Sequence, residues 1–390
     1  MAAQDPGRRM WPTRALAWIG NYRVPLGVFA ISRLGLFLFN YFNLILIPFA
    51  KKEQALRAYP RNLLIDGWIR WDSGWYRSIV DNGYSNIPDS EGSLNTAFLP
   101  FYPLVTRIVK TVTPDTYVAG LVVSNVAFLL ALIVLYKLIL RHYDADVAQR
   151  SLVLLAVFPF SFYFSTMYTE SLFLLTVVLA FYFGERQQWL LAALAAAAAG
   201  ATRLVGLFVG PALVILYLET VGFQWRKVRP NIAWLLLSAA GLAAFAVYLG
   251  IQFGDPVMFY TSQLTTGWGF WSADDARQVI AQTLSVSALV RGSFPALDLL
   301  QLCIMVAALI GCALAWRRPR ISYAVWGLLA LMASFPVYVG MGRYVAVTFP
   351  LFILGGLALR DNRWYLAAVY LSTLFLALFM TMYSHWLWLT

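Results

Sequence analysis

Charge is what this chain has least of. Only 12% of its 390 residues are charged and 61% are hydrophobic, for a mean hydropathy of +0.69. Soluble domains carry about 25% charged residues, and half that share cannot cover a globule of this length. A soluble enzyme and a disordered, charge-rich chain are both excluded. Cysteine is nearly absent. Cys303 and Cys312 are the two present. Nine helical positions put them on opposite faces, roughly 13 Å apart along the axis, too far to bridge. Two histidines leave no basis for a histidine-rich zinc site. The chain has no Gly-x-x-x-x-Gly-Lys and no Gly-x-Gly-x-x-Gly after a strand, so neither common phosphate cradle is present. It shows no internal repeat and no low-complexity stretch.

What the chain has instead is long apolar runs. A helical span needs about 20 mainly apolar residues, and short or broken ones pack against protein or border a water-filled cavity. Eleven candidate spans stand near 25–48, 117–140, 151–167, 171–184, 189–202, 204–219, 231–252, 295–315, 321–340, 344–359 and 364–384. The first exceeds a signal-peptide core and reads as a retained anchor. Lys and Arg in short loops set orientation. Arg8, Arg9, Arg14 and Arg23 precede or open the first span. The turns with Arg226, Lys227 and Arg229, with Arg317, Arg318 and Arg320, and with Arg360 and Arg363 then fall on the same side. The N-terminus is expected inside, the C-terminus outside, and the long mixed-charge segment 49–116 outside. The formal charge of +11 is then the signature of basic cytoplasmic loops, not of a nucleic-acid partner. We expect an all-α polytopic membrane protein, one domain over residues 1–390, with the lipid bilayer as its surroundings.

With that topology, the outer face gathers Asp66, Asp72, Asp81, Asp89, Glu91, Glu170, Arg203, Asp255, Asp274, Asp275 and Arg343. The segments WIRWDSGWYRSIV and TAFLPFYPLVTRIV read as helices in the membrane interface, where Trp and Tyr are favoured. In a helix, Asp72 shares a face with Trp75, Tyr76 and Ile79, which sets a carboxylate in an aromatic stripe. It is either an ordinary capping aspartate or a general base whose pKa is raised by a desolvating wall. Trp71, Trp75 and Tyr76 are the candidate substrate contacts beside it. Glu170, in FYFSTMYTESLFL, is costly so close to hydrocarbon and marks a site by default. Its plainer reading is an acid opening the next helix, between Thr169 and Ser171.

Arg203 in GATRLVG and Arg343 in GMGRYVA sit beside small residues that allow close approach. Either alone reads as a snorkelling arginine; together they suit an anion such as a lipid phosphate. Arg33, inside the first span, is a third member or a structural group. In FYTSQLTTGWGFW, Gln263 and Trp268, with Trp271, suit sugar stacking and hydroxyl hydrogen bonding, and equally an aromatic belt. Asp144 and Asp146 form an Asp-x-Asp, but in a short turn they read as helix caps. Asp274 and Asp275 read the same way. No spacing calls for a metal, and no cofactor is expected.

WDSGWYRSIVDNGY followed by TAFLPFYPL resembles the first-loop signature of the PIG-V-type mannosyltransferases, which act in glycosylphosphatidylinositol assembly, and their prokaryotic relatives. FPFSFYFSTMYTESLF resembles that family's block ending in Tyr-Thr/Ser-Glu-Ser, and ATRLVG, YTSQLTTGWGFW and GRYVAVTFPLF follow in its order. Trp75 stands where eukaryotic members have a histidine, and Phe158 where Asn often precedes Pro, which favours a prokaryotic relative. The resemblance implies a C-type glycosyltransferase (GT-C) fold with the working aspartate in the first extracytoplasmic loop. It implies Asp72 as base, Glu170 as a second catalytic carboxylate, and Arg203 and Arg343 as phosphate or sugar contacts. The donor would be a polyprenyl phosphate sugar, with mannose named by the resemblance alone. The acceptor would be a hydroxyl of a glycolipid, glycan or protein. The membrane would be the plasma membrane in a prokaryote, the endoplasmic reticulum in a eukaryote. The competing class is a lipid or solute transporter, although transporters place polar groups near the midplane and show paired repeats.

Overall fold

The computed structural model describes residues 10–50, 54–90, 92–264, 277, 281, 285–291, 296–316, 320–334 and 340–387. Among these residues the chain is helical and has no strand. Helix α1 covers Met10–Leu46, and a loop with α2 (Leu63–Asp66), α3 (Asp72–Asn82) and α4 (Phe101–Lys110) follows. Then come α5 (Thr116–Ile139), α6 (Ala145–Ala156), α7 (Glu170–Glu185), α8 (Trp189–Gly200) and α9 (Val209–Thr220). The remainder is α10 (Ala240–Phe253), α11 (Met258–Leu264), α12 (Val286–Val290), α13 (Ala296–Leu314), α14 (Ile321–Ala333), α15 (Met341–Val347), α16 (Phe349–Ala358) and α17 (Asn362–Ser384).

Tyr22–Leu46, Thr116–Ile139, Pro230–Phe253 and Asn362–Ser384 are long and apolar enough to cross a membrane. Helices α15 and α16 qualify as one span bent by 71°, and Trp189–Gly200, Leu204–Thr220, Leu299–Leu314 and Ile321–Ala333 are shorter apolar helices. Such helices expose aliphatic side chains on one side, as Ile31, Leu34 and Leu38 do on α1 and Leu371 and Leu374 on α17. In water that surface would be unstable; in lipid it is the ordinary outer face. The chain is a multi-pass membrane protein.

The central core follows α5, α7 and α8, which pack along one another. Phe128, Leu132, Phe173, Val177 and Ala193 are fully buried there. Small residues let the helices approach: a Cβ on Gly241 would lie 2.0 Å from the Ala197 carbonyl oxygen.

The expected span at 344–359 is the bent pair α15 and α16, and another expected span is broken outright. The run at 151–167 breaks after Ala156, and Ser161–Ser165 continues as a 3₁₀ turn before α7 begins at Glu170. The apolar composition that suggested a span here is that of a buried connection: Phe160 to Ser171 are all buried. Buried irregular backbone needs donors for its free carbonyls. Arg33 supplies them, donating to the Ala156 carbonyl (2.7 Å) and the Ser161 carbonyl (2.9 Å) with its guanidinium over Phe128 (4.8 Å). Its role is therefore to hold this broken connection, and its hydrogen-bond partners do not include the carboxylates of the outer-face cluster.

The loop helix α4 is amphipathic. Tyr102, Pro103 and Thr106 face inward, and Leu104 and Ile108 are exposed. Asp144 caps α6 by accepting from the Val147 N–H at 2.9 Å, the capping role its turn position suggested.

Candidate active site

Three helix starts and one 3₁₀ start bring four charged side chains together. Asp72 is the first residue of α3 and Glu170 the first of α7. Arg203 caps the 3₁₀ turn Leu204–Phe208, and Arg343 lies in the first turn of α15. Helix N-termini favour carboxylates because their free N–H groups carry partial positive charge, which stabilises both acids where they stand.

The guanidinium of Arg343 bridges the two carboxylates. Its Nε donates to Glu170 Oε1 at 2.7 Å and its Nη1 to Asp72 Oδ2 at 3.1 Å. Arg203 Nη1 donates to the same Glu170 Oε1 at 2.6 Å and to Thr169 Oγ1 at 3.2 Å. Glu170 is fully buried, and among the described residues its Oε2 has no hydrogen-bond partner. Aromatic rings line the cations: Arg343 lies over Tyr168 (4.7 Å) and Tyr163 (5.0 Å), Arg203 over Tyr344 (4.6 Å). These faces attract a guanidinium while keeping water away. Burial pushes the Asp72 carboxyl above its ordinary value, Arg343 pulls against that rise, and the Glu170 charge adds to it. A raised carboxylate is the better proton acceptor near neutral pH.

Close packing is needed to place Arg343. A Cβ on Gly342 would meet the Phe160 ring at 2.3 Å, so only glycine lets α15 lie against the broken connection. The Gly342 N–H donates to Gln301 Oε1 at 3.0 Å, which ties that turn to α13.

The turn before α3 is held from several sides. Trp71 has φ 47°, a conformation rare for a bulky residue. Its ring makes an edge contact with Trp386, centroids 5.2 Å apart. Arg70 is buried, pairing with Asp66 Oδ2 at 2.9 Å and donating to the Ser384 carbonyl at 2.8 Å. Burial works against the Asp66 charge, but Arg70, Arg57 and the Tyr59 N–H outweigh it and hold the carboxyl below its ordinary value. Asp66 is thus committed to the loop's architecture.

Tyr168 is the residue that sequence reasoning missed. Its hydroxyl accepts from the Asp72 N–H at 3.2 Å and donates to the Arg70 carbonyl at 3.2 Å, while its ring supports Arg343. A tyrosine two residues before a suspected carboxylate was a signal available in YTES, but one that tells nothing of its partner 96 positions earlier. Tyr168→Phe keeps the ring and removes both hydrogen bonds. We expect a roughly tenfold lower turnover, from about 1–1.5 kcal/mol of lost positioning, with donor KM unchanged. Measuring kcat and KM separately checks it.

The remaining candidates are placed less centrally. Trp75 stacks on Phe98 (5.9 Å) and is half-buried. Tyr76 is buried among Phe98, Tyr102 and Tyr168, so its ring is mainly packing. Gln263 donates to the Ala97 carbonyl at 3.0 Å, and its neighbour Ser262 shares a hydrogen bond with Thr96 Oγ1 at 2.7 Å. These two contacts make α11 a clasp on the first loop. Trp268 lies outside the described residues, as do Trp271, Asp274 and Asp275. Beside α3, a cavity of about 400 Å³ is lined by Ile79, Tyr84, Leu104, Phe245 and Tyr248, with Ala201 at its wall. Among the described residues no cluster of three or more His, Cys, Asp or Glu could hold a metal.

A family model of dolichyl-phosphate-mannose-protein mannosyltransferases matches residues 97–251, a stretch that contains Glu170 and Arg203 and leaves Asp72 and Arg343 outside. The chain superposes on the crystal structure of ArnT from Cupriavidus metallidurans bound to undecaprenyl phosphate. That match has a TM-score of 0.52 at 15% identity, covering 89% of this chain and 62% of ArnT. It also superposes on the Archaeoglobus fulgidus oligosaccharyltransferase tethered to an acceptor peptide, with a TM-score of 0.51 at 13% identity, covering 95% and 56% respectively. The fold is that of the GT-C glycosyltransferases. The chain spans less than two thirds of the length of either solved neighbour. No curated protein matches it by sequence.

Proposed function

We propose that the chain is an inverting glycosyltransferase that moves a sugar from a polyprenyl phosphate donor to an acceptor hydroxyl on the extracytoplasmic face. The observation that carries this is the Asp72–Arg343–Glu170–Arg203 constellation, two carboxylates and two guanidiniums at converging helix starts. In the transfer step the bond from the sugar's anomeric carbon to the phosphate oxygen breaks, and its electron pair leaves on the phosphate. The acceptor oxygen bonds to the anomeric carbon from the opposite side, and its proton passes to Asp72. The guanidiniums stabilise the charge that develops on the departing phosphate, the type of electrostatic contribution worth several kcal/mol in a site with little water. Glu170, whose buried Oε2 has no hydrogen-bond partner among the described residues, would accept from a sugar hydroxyl. Trp71 and Trp75, next to Asp72 and three residues beyond it, are the rings proposed to border the sugar. The apolar cavity by Ile79 and Phe245 suits a stretch of isoprenoid chain.

Two further lines favour this class. One neighbour of the same fold was crystallised with undecaprenyl phosphate, and the matching family model is named for a dolichyl phosphate mannose donor. With the PIG-V-type motifs, mannose is the sugar we propose. Incubating purified protein with labelled polyprenyl phosphate mannose and membrane lipid extract should yield a labelled product, whereas labelled nucleotide mannose should yield none. The reverse preference would reject the reading.

Divalent metal is not needed in this chemistry, since both carboxylates already face guanidiniums. Chelator-treated enzyme should keep most of its activity; full loss restored by a divalent cation would assign Asp72 and Glu170 to a metal instead. The topology we propose has its own check. Cysteine placed at Ser90 should react with an impermeant thiol reagent in intact cells, and cysteine placed at Val228 should not. Labelling at 228 alone inverts the orientation.

A further inference from the structure

In the arrangement described, one guanidinium serves two anions before any substrate arrives. Among the described residues, Arg343 is the only cation in an ion pair with Asp72, at 3.1 Å. Glu170 has two cationic partners, Arg343 at 2.7 Å and Arg203 at 2.6 Å. The bridge is therefore lopsided. Glu170 stays paired if Arg343 turns away, and Asp72 does not. The Asp72 contact is also the longer of Arg343's two. A guanidinium favours a carboxylate's charged form, so Arg343 offsets part of the rise that burial gives the Asp72 carboxyl, and to that extent the resting site restrains its own base.

A phosphate group brought among these residues meets the same guanidinium. Arg343 carries a single positive charge that already faces two carboxylates, so a phosphate brought beside it competes with them for that charge, and with Asp72 first, the carboxylate that has no second cation. We propose that the donor's phosphate displaces Asp72 from Arg343, so that donor binding releases the base and the enzyme takes its lipid-linked donor before it activates the acceptor. This rests on the donor reading above and adds an order of events to it. Acceptor hydroxyls, water included, meet a competent base only when a sugar is in place to receive them.

Competition for one partner is reciprocal. If the phosphate must take Arg343 from Asp72, removing the Asp72 charge makes phosphate binding tighter. The probe is polyprenyl phosphate, the donor's leaving group, titrated into detergent-solubilised parent, Asp72→Asn, Arg343→Gln and the double variant. We expect Asp72→Asn to bind it about tenfold more tightly than the parent. In the Arg343→Gln background the same substitution should change little, because there is no shared partner left to release. Asp72→Ser, which also lacks the charge, should repeat the tightening and guards against a local folding fault in one variant.

Equal or weaker binding by both Asp72 variants overturns the exchange. Tightening of equal size with and without Arg343 also overturns it, since that is charge repulsion alone. Absence of any polyprenyl phosphate binding by the folded parent is a different failure: it removes the donor reading itself, and this proposal with it.

Discussion

Asp72→Asn should slow sugar transfer about 10²–10⁴-fold, the usual cost of removing a general base. The substitution keeps the side chain's size and can still accept a hydrogen bond from Arg343, but it cannot take a proton. Under the proposed exchange donor affinity should not fall, because the arginines would hold the phosphate without competition from a charged Asp72. The parent's rate should fall on the acid side with an apparent pKa above that of an ordinary aspartate. Burial raises the Asp72 carboxyl against the pull of Arg343, and protonation below that value removes the acceptor site. That acid limb should be absent from the residual rate of Asp72→Asn. Equal solubilised yield and monodispersity of variant and parent exclude fold damage. A near-parental rate in folded Asp72→Asn would make the aspartate a cap and nothing more. Movement of a lipid or solute that depends on Asp72, without any sugar transfer, would place the chain among transporters.

Arg343→Ala carries the second large effect. It removes the bridge to both carboxylates and the group we propose meets the leaving phosphate. Losing one such donor at a site of developing charge typically costs about 10²–10³-fold. Here the loss should divide between weaker donor binding and slower turnover. Arg203 still holds Glu170 at 2.6 Å, so that carboxylate is not stranded and the variant should fold. Steady-state kinetics at several donor concentrations separate the two parts. A higher donor KM with kcat intact would leave Arg343 a role in binding only.

The membrane class and the helical fold were legible in composition and run length, because burying or exposing so much apolar surface leaves few other solutions. Asp72, Glu170, Arg203 and Arg343 stood out singly, each as a charge out of place in an apolar chain. Their pairing did not. Arg343 and Asp72 are 271 positions apart, and no periodicity reaches across that distance. The run at 151–167 misled for a physical reason: apolar composition reports burial, and a buried connection looks like a span until its backbone is seen. For Arg33 the sequence left two roles open, and its partners are carbonyls that are free only because the helix breaks. Gln263 suited a sugar by residue type, and the hydrogen bond its amide donates to the Ala97 carbonyl is a partner that the motif does not show. Tyr168 was hidden among aromatic neighbours, since a hydroxyl's partners are a property of the fold.

The central claim is a single displacement at the anomeric carbon, with Asp72 as the base and no covalent sugar-enzyme intermediate. The stereochemistry of the product reports on it directly. Purified enzyme supplied with polyprenyl phosphate mannose of defined anomeric configuration should form a product whose new glycosidic bond has the opposite configuration, read by nuclear magnetic resonance of the isolated product. Retention would require two displacements through a carboxylate nucleophile, and would contradict the account.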